Sequence, residues 1–276
     1  MTQKSLGPSH FTGILTTMVD LALTDITVRY GQNAALDRVS LEIPSGSSLA
    51  LVGSNGSGKT TLLNVLAGLA RPTSGSVSPA PLPRVAYVLQ FSGQSRWLPI
   101  TAGEVLAMGR YPHRSWIQRL NTADHDTLAQ AAKRLDVTDL LDQQFGDLSG
   151  GQRQRVLVAQ AIAQQADVLL LDEPVTGLDI PSQNRILELL EEETARHTTV
   201  VITTHNLDEA RHCDRVALLA KHLVAIGPPD EVLQADLLRE TFGDRVLGQH
   251  GDHDHARSLL VVDEHGHDHD HGHDGH

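Results

Sequence analysis

Gly53-Ser54-Asn55-Gly56-Ser57-Gly58-Lys59-Thr60 stands between the apolar run Leu49-Ala50-Leu51-Val52 and the segment Thr61-Leu62-Leu63-Asn64-Val65-Leu66-Ala67, which Gly68 closes. The apolar run reads as a buried strand and the later segment as a helix stopped by glycine. Strand, glycine-rich loop and helix in that order make a cradle, because glycines let several backbone N–H groups turn toward a polyphosphate at a helix N-terminus. The spacing G-x-x-x-x-G-K-T then brings Lys59 to the β- and γ-phosphates and gives the Thr60 hydroxyl to Mg²⁺. A purely structural glycine turn is the alternative; the flanking strand and helix weigh against it.

Composition bounds the rest. A chain of 276 residues holds one large domain, or one domain with an inserted subdomain, and buries an ample core. Its 40% hydrophobic and 20% charged residues are those of a soluble globular protein. No apolar stretch approaches the length of a bilayer span; residues 216–220, for example, are interrupted at once. Work at a membrane would therefore need spans from another chain. Residues 1–18 lack the apolar core of a signal peptide and read as a disordered leader, with Met18 an alternative start. The single Cys213 excludes an intrachain disulfide and suits a reducing cytosol. A net charge of -12 argues against nucleic acid as a partner, since a polyanion needs a basic stripe. About half of that charge sits in residues 248–276, where seven acids face Arg257 alone.

Residues 25–30 alternate, with Ile26, Val28 and Tyr30 expected on one buried face, and residues 39–43 repeat the pattern. Residues 75–88 are strand-like but broken by Pro79, Pro81 and Pro83. From Thr101 to about Gln165 the character is helical: Thr101 caps one helix, Thr122 a second through Leu135, and Gly151 opens a third through Ala163. Short apolar strands then return. One runs from Val168 to Asp172-Glu173, one from Thr199 to Thr203-Thr204-His205, and one begins at Val216. Pro181 fits the first turn of a helix that turns Ile186, Leu189 and Leu190 inward and Glu188, Glu191 and Glu192 to water. Continuous apolar strands alternating with helices imply a parallel sheet, whose ligands bind at the C-terminal strand ends. Asp172, Glu173 and His205 therefore belong beside the phosphate loop.

Asp172 is placed to hold Mg²⁺ and Glu173 to take a proton from attacking water, although an ordinary polar strand end is the plain alternative. Leu148-Ser149-Gly150-Gly151-Gln152 forms a second anion cradle at a helix N-terminus. One nucleotide needs only one such loop, so the second is expected to close over the nucleotide of another copy. A capped turn before an amphipathic helix is the alternative.

With these motifs the sequence resembles an ATP-binding cassette (ABC) ATPase subunit over about residues 19–245. The resemblance implies an α/β P-loop NTPase of ABC type. Its mostly parallel sheet core carries an antiparallel β subdomain and an inserted α-helical subdomain at about 100–165, all within 19–247. It implies ATP and Mg²⁺ as cofactors, with Gly53, Ser54, Asn55, Gly56, Ser57, Gly58, Lys59, Thr60 and Thr61 as the Walker A loop and its continuation. Tyr30 is implied to stack on adenine and Gln90 to be the Q-loop glutamine, joining Thr60 and Asp172 at Mg²⁺. Ser149, Gly150, Gly151 and Gln152 are the signature contributed in trans, and Asp172 is the Walker B aspartate. Glu173 is the general base, Asp179 the D-loop residue and His205 the switch histidine; Lys59, Gln90, Glu173 and His205 form the catalytic set. Leu89 stands where the family often has proline, which leaves the shape of the Gln90 loop open.

Trp97-Leu98-Pro99-Ile100-Thr101, Met108-Gly109-Arg110-Tyr111, Cys213-Asp214-Arg215-Val216 and Gly227-Pro228-Pro229-Asp230-Glu231-Val232-Leu233 are similar to the ATPases of zinc and manganese importers. Met108 to His113 is also similar to iron-siderophore and haem importers. Independently, His265, His267, His269, His271 and His273 alternate with Gly or Asp, after His253 and His255. Imidazole suits Zn²⁺ and its neighbours, so this tail is expected to bind transition metal without a core of its own; a merely solvated acidic tail is the alternative. The expectation is a homodimeric ATPase, peripheral on the cytoplasmic face of the cell membrane. It would serve an integral-membrane permease and an extracytoplasmic metal-binding protein. A soluble ABC ATPase in cofactor assembly is the rival.

Overall fold

The computed structural model describes residues 20–89, 99–113 and 119–243. Among the described residues nine strands form two sheets. β1 (Leu21–Tyr30), β2 (Asn33–Ile43) and β4 (Ser74–Ser78) make an antiparallel sheet in the order β2-β1-β4. β3 (Ser48–Val52), β5 (Val85–Val88), β6 (Val168–Asp172), β7 (Thr199–Thr204), β8 (Arg215–Leu219) and β9 (Leu223–Gly227) make the other, ordered β5-β6-β7-β3-β8-β9. Neighbours from β5 to β8 run parallel, and β9 closes the edge antiparallel. Helix α1 (Lys59–Leu66) follows β3. Helices α2 (Ala102–Ala107), α3 (Thr122–Arg134) and α4 (Gly150–Ala163) lie between β5 and β6 in the chain, although those two strands pair directly. Helices α5 (Ile180–Ala195), α6 (Leu207–Ala210), α7 (Pro229–Val232) and α8 (Ala235–Phe242) complete the chain's order.

The parallel strands are apolar through their middles because both faces are covered, and their polar residues sit mostly at the ends. Leu49, Leu51, Val168, Leu170, Val201 and Ala217 pack with Leu62, Leu63 and Leu66 of α1 and with Ile26, Leu36 and Ile43 of the antiparallel sheet. Their alternates Ala50, Val52, Leu169, Leu171, Val200 and Ile202 pack on the other face with Val156, Ile186, Leu189 and Leu238. The period of two thus divides one sheet between two cores.

The expected alternation of β1 fails at its end. Asp25 adopts φ 50 and the β1–β2 register shifts between Leu23 and Ile26, and again up to Arg29. This bulging carries Thr27 inside and leaves Tyr30 59% exposed instead of on the buried face. Residues 75–88 resolve into β4 and β5, joined across the prolines. The cap of α3 is Asn121 rather than Thr122, and α4 opens at Gly150 under Ser149 rather than at Gly151.

Candidate active site

β6, β7 and β3 are adjacent, so their C-terminal ends bring Asp172, His205 and the glycine loop to one edge of the sheet. Within the loop, a Cβ at Gly53 would meet Leu219 O at 2.4 Å and Ser57 Oγ at 2.5 Å. Gly58 has φ 102 and would put a Cβ 2.5 Å from Leu36 Cδ2, so only glycine lets the chain turn here into α1. Helices α2, α3, α4, α5 and α6 each have a side-chain cap, from Thr101, Asn121, Ser149, Asp179 and Asn206. No side chain caps α1, whose N-cap is Gly58. An α-helix leaves its first-turn N–H groups without helical partners. Beside them the buried Ser57 Oγ has no hydrogen-bond partner. Lys59 is buried and donates to the carbonyls of Gly53 at 2.7 Å and Ser54 at 3.2 Å. Exposed Ser54, Asn55, Gly56 and Thr60 leave the cradle open, with Thr61 half-buried behind it. Uncapped amides, an orphaned hydroxyl and an ammonium fit a polyphosphate.

Asp172 is 4% exposed and stands across from Thr203 in the β6–β7 register. Its Oδ2 accepts from Thr60 Oγ1 at 2.8 Å and its Oδ1 from Thr203 Oγ1 at 2.5 Å. A carboxylate and a hydroxyl on an open edge are the hard oxygen donors that Mg²⁺ takes. Glu173 follows with φ 49, its N–H donating to Thr203 Oγ1 at 2.9 Å. Its Oε1 faces His205 Nδ1 at 3.7 Å. The polar contact with His205 holds the Glu173 carboxyl below the usual range against the raising effect of burial, and Lys59 adds to the lowering. The same contact raises His205 against burial. Behind this turn Thr204 Oγ1 donates to Glu209 at 2.5 Å, and burial raises that carboxyl.

The second glycine stretch forms a capping box on α4. Ser149 Oγ accepts from Gln152 N–H at 3.2 Å, and Gln152 Oε1 accepts from Ser149 N–H at 2.8 Å. That bond leaves the Ser149 hydroxyl its own hydrogen to donate. Ser149 and Gly150 are exposed. Gly151 abuts α5, where a Cβ would lie 2.7 Å from Ser182 Oγ; Asp179 caps the same helix by accepting Ser182 N–H at 3.0 Å. The signature stretch and Asp179 therefore share one outward surface.

Gln90 and the tail residues His253, His255, His265, His267, His269, His271 and His273 lie outside the described residues, as do residues 1–18. Among the described residues no group of three His, Cys, Asp or Glu is disposed to hold a metal ion, and no helix is long and apolar enough to cross a membrane. Motif spacing gives no cue to Thr203. The parallel register is the signal that finds it, by setting it beside Asp172.

Comparison with known proteins agrees with this geometry. The family described as "ABC transporter" matches residues 36–176. The manganese transport system ATP-binding protein MntB of Listeria monocytogenes is 35% identical over 231 residues, covering 81% of this chain and 96% of that protein. The chelated iron transport system membrane protein YfeB of Yersinia pestis is 32% identical over 262 residues, covering 89% and 88%. A solved metal-chelate type ABC transporter in an inward-facing conformation superposes with a TM-score of 0.73 at 30% identity, covering 80% of this chain and 88% of that one.

Proposed function

Because this chain belongs to the ABC transporter family, we propose that it is the ATP-hydrolysing subunit of a transition-metal importer, driving a separate membrane permease. The chain is an ATPase that uses ATP and Mg²⁺. What supports the assignment of roles is one observation: Thr60, Asp172, Glu173 and His205 meet beside the N-terminus of α1, which no side chain caps. In this reading Gly53 to Thr61 bind the phosphates, with Lys59 turning its ammonium from the loop carbonyls toward them. Thr60 and Asp172 hold Mg²⁺, with Gln90 as a third donor. Mg²⁺ held there would supply neutralisation of the phosphate charge. Glu173, ionised at neutral pH by its lowered titration, takes the proton of the attacking water, and His205 holds it in place. Exposed Tyr30 offers its ring to the adenine. Ser149, Gly150, Gly151, Gln152 and Asp179 face the nucleotide of a second copy.

Glu173→Gln should bind MgATP with affinity close to that of the parent while turnover falls at least about 100-fold. Calorimetric titration beside a phosphate-release assay measures both, and turnover near the parental rate would overturn the assignment of the base.

Manganese or zinc is the cargo we propose, supported by the importer-like residues 97–101, 108–111 and 227–233 and by the likeness to MntB. An iron-chelate cargo is the second reading, favoured by the likeness to YfeB. An extracytoplasmic metal-binding protein completes the proposed importer, which places this subunit at the cytoplasmic face of the membrane. The tail after residue 247 is proposed to bind metal on that same side, using neutral imidazole, so that binding weakens below about pH 6.5. A chain ending at Gly248 should keep its ATPase activity and lose most Zn²⁺ binding. Equal zinc stoichiometry in calorimetry of the two chains would remove the tail from the proposal.

A further inference from the structure

Strand β6 ends at Asp172, and the backbone leaves the sheet through φ 49 at Glu173, a region that L residues with long side chains seldom occupy. Turned this way the Glu173 N–H departs from the parallel ladder, and a part-buried N–H needs another acceptor. Thr203 Oγ1 supplies it at 2.9 Å. The same oxygen donates its hydrogen to Asp172 Oδ1 at 2.5 Å, and Thr203 is 0% exposed. The polarity of this relay follows from the amide: its N–H only donates, so the Thr203 oxygen accepts from it and gives its own single hydrogen to the Asp172 carboxyl. Burial leaves no route for water to stand in. Asp172 is consequently anchored by one oxygen from within, while its other oxygen meets the hydroxyl of exposed Thr60 at 2.8 Å.

We propose that Thr203 is a positioning residue for ATP hydrolysis: its single hydroxyl fixes together the orientation of the Asp172 carboxylate and the backbone turn from which Glu173 reaches the attacking water. The inference rests on the reading of Glu173 as the base. Valine keeps the shape of Thr203 and can make neither bond; serine makes both.

The test uses the full-length chain with Thr203→Val, Thr203→Ser and Glu173→Gln. ATP hydrolysis is expressed per nucleotide site, the sites being counted by calorimetry with and without Mg²⁺ so that unfolded chains drop out. Thr203→Val should lower kcat about 10- to 100-fold while KM for MgATP stays within about threefold. It should also reduce the gain in ATP affinity that Mg²⁺ confers, a binding readout independent of turnover. Thr203→Ser should stay within about threefold of the parent in both measurements. The proposal is overturned if Thr203→Val turns over within about twofold of the parent while Glu173→Gln is inactive, or if Thr203→Ser is as impaired as Thr203→Val. An active Glu173→Gln would overturn the base assignment, and the inference with it.

Discussion

Glu173 and His205 each move the other's titration toward the ionised pair, and the sign of each shift fixes where in pH their contact stabilises the fold. A lowered carboxyl contributes fully above its unfolded value of about 4.3 and loses that contribution as pH falls through its folded value. A raised imidazole contributes fully below about 6.5 and loses it as pH rises through its folded value. Both are in force together between those limits. The His205 side chain is 38% exposed, so solvent screens the contact to less than about 1 kcal/mol. His205→Ala should therefore lower the melting temperature by about 1–3 °C more at pH 6 than at pH 9. Scanning calorimetry of the two chains at both pH values checks this, and equal losses would remove the ion pair from the account. At this scale Lys59, Asp172, Glu173 and His205 were all legible, since each sits at a fixed offset within a local motif. Thr203 was not, because its contacts with Asp172 and Glu173 exist only once β6 and β7 pair in register.

Among the elements, a cluster of charges ties the helices that precede β6 to α5. Arg134 near the end of α3 donates to Glu192 at 2.8 Å and to Glu193 at 2.5 Å, and Arg185 of α5 donates back to the Arg134 carbonyl at 2.5 Å. The Arg134 and Glu193 side chains are only 15% and 11% exposed. Removing one partner strands a mostly buried charge, which costs more than a surface pair yields, so Arg134→Ala should destabilise the chain by about 2 kcal/mol. Urea unfolding measures it, and a double-mutant cycle with Glu193→Ala should show the two losses to be non-additive. An Arg134→Ala chain as stable as the parent would show the contact to be incidental. The helices were readable from their own sequence: Thr101 closes a capping box with Glu104, and Pro181 sits in the first turn of α5. These long-range pairings were not, because the spacing of apolar residues says which face is buried but not what lies across from it. The register shift between Val28 and Arg29 escaped for a related reason, since a slip of one residue reverses the alternation after it, and Tyr30 is exposed.

For the molecule as a whole, Ser149 and Gly150 sit on an outward surface at the start of α4, in a stretch that the proposed function assigns to a second copy. Mixing Ser149→Arg chains with Lys59→Ala chains then creates heterodimers with one intact composite site and one doubly damaged site. ATPase activity measured across mixing ratios should peak near equal amounts, with almost none in either parent. Parents active alone would refute the shared site. The parallel, helix-covered sheet was legible in outline from alternating apolar runs and helices, whereas the order of its strands and its division between two cores needed the pairing and register. A helix N-terminus capped by glycine forgoes roughly a few tenths of a kcal/mol relative to a side-chain cap, and in α1 that shortfall sits where the phosphates are proposed to bind. Nucleotide is then a folding partner as well as a fuel: at a free concentration about 100 times its dissociation constant it adds about 2.7 kcal/mol to the native state. Chains in a nucleotide-starved cell would unfold more often and meet proteases sooner, so the abundance of this subunit would follow the energy charge of the cell.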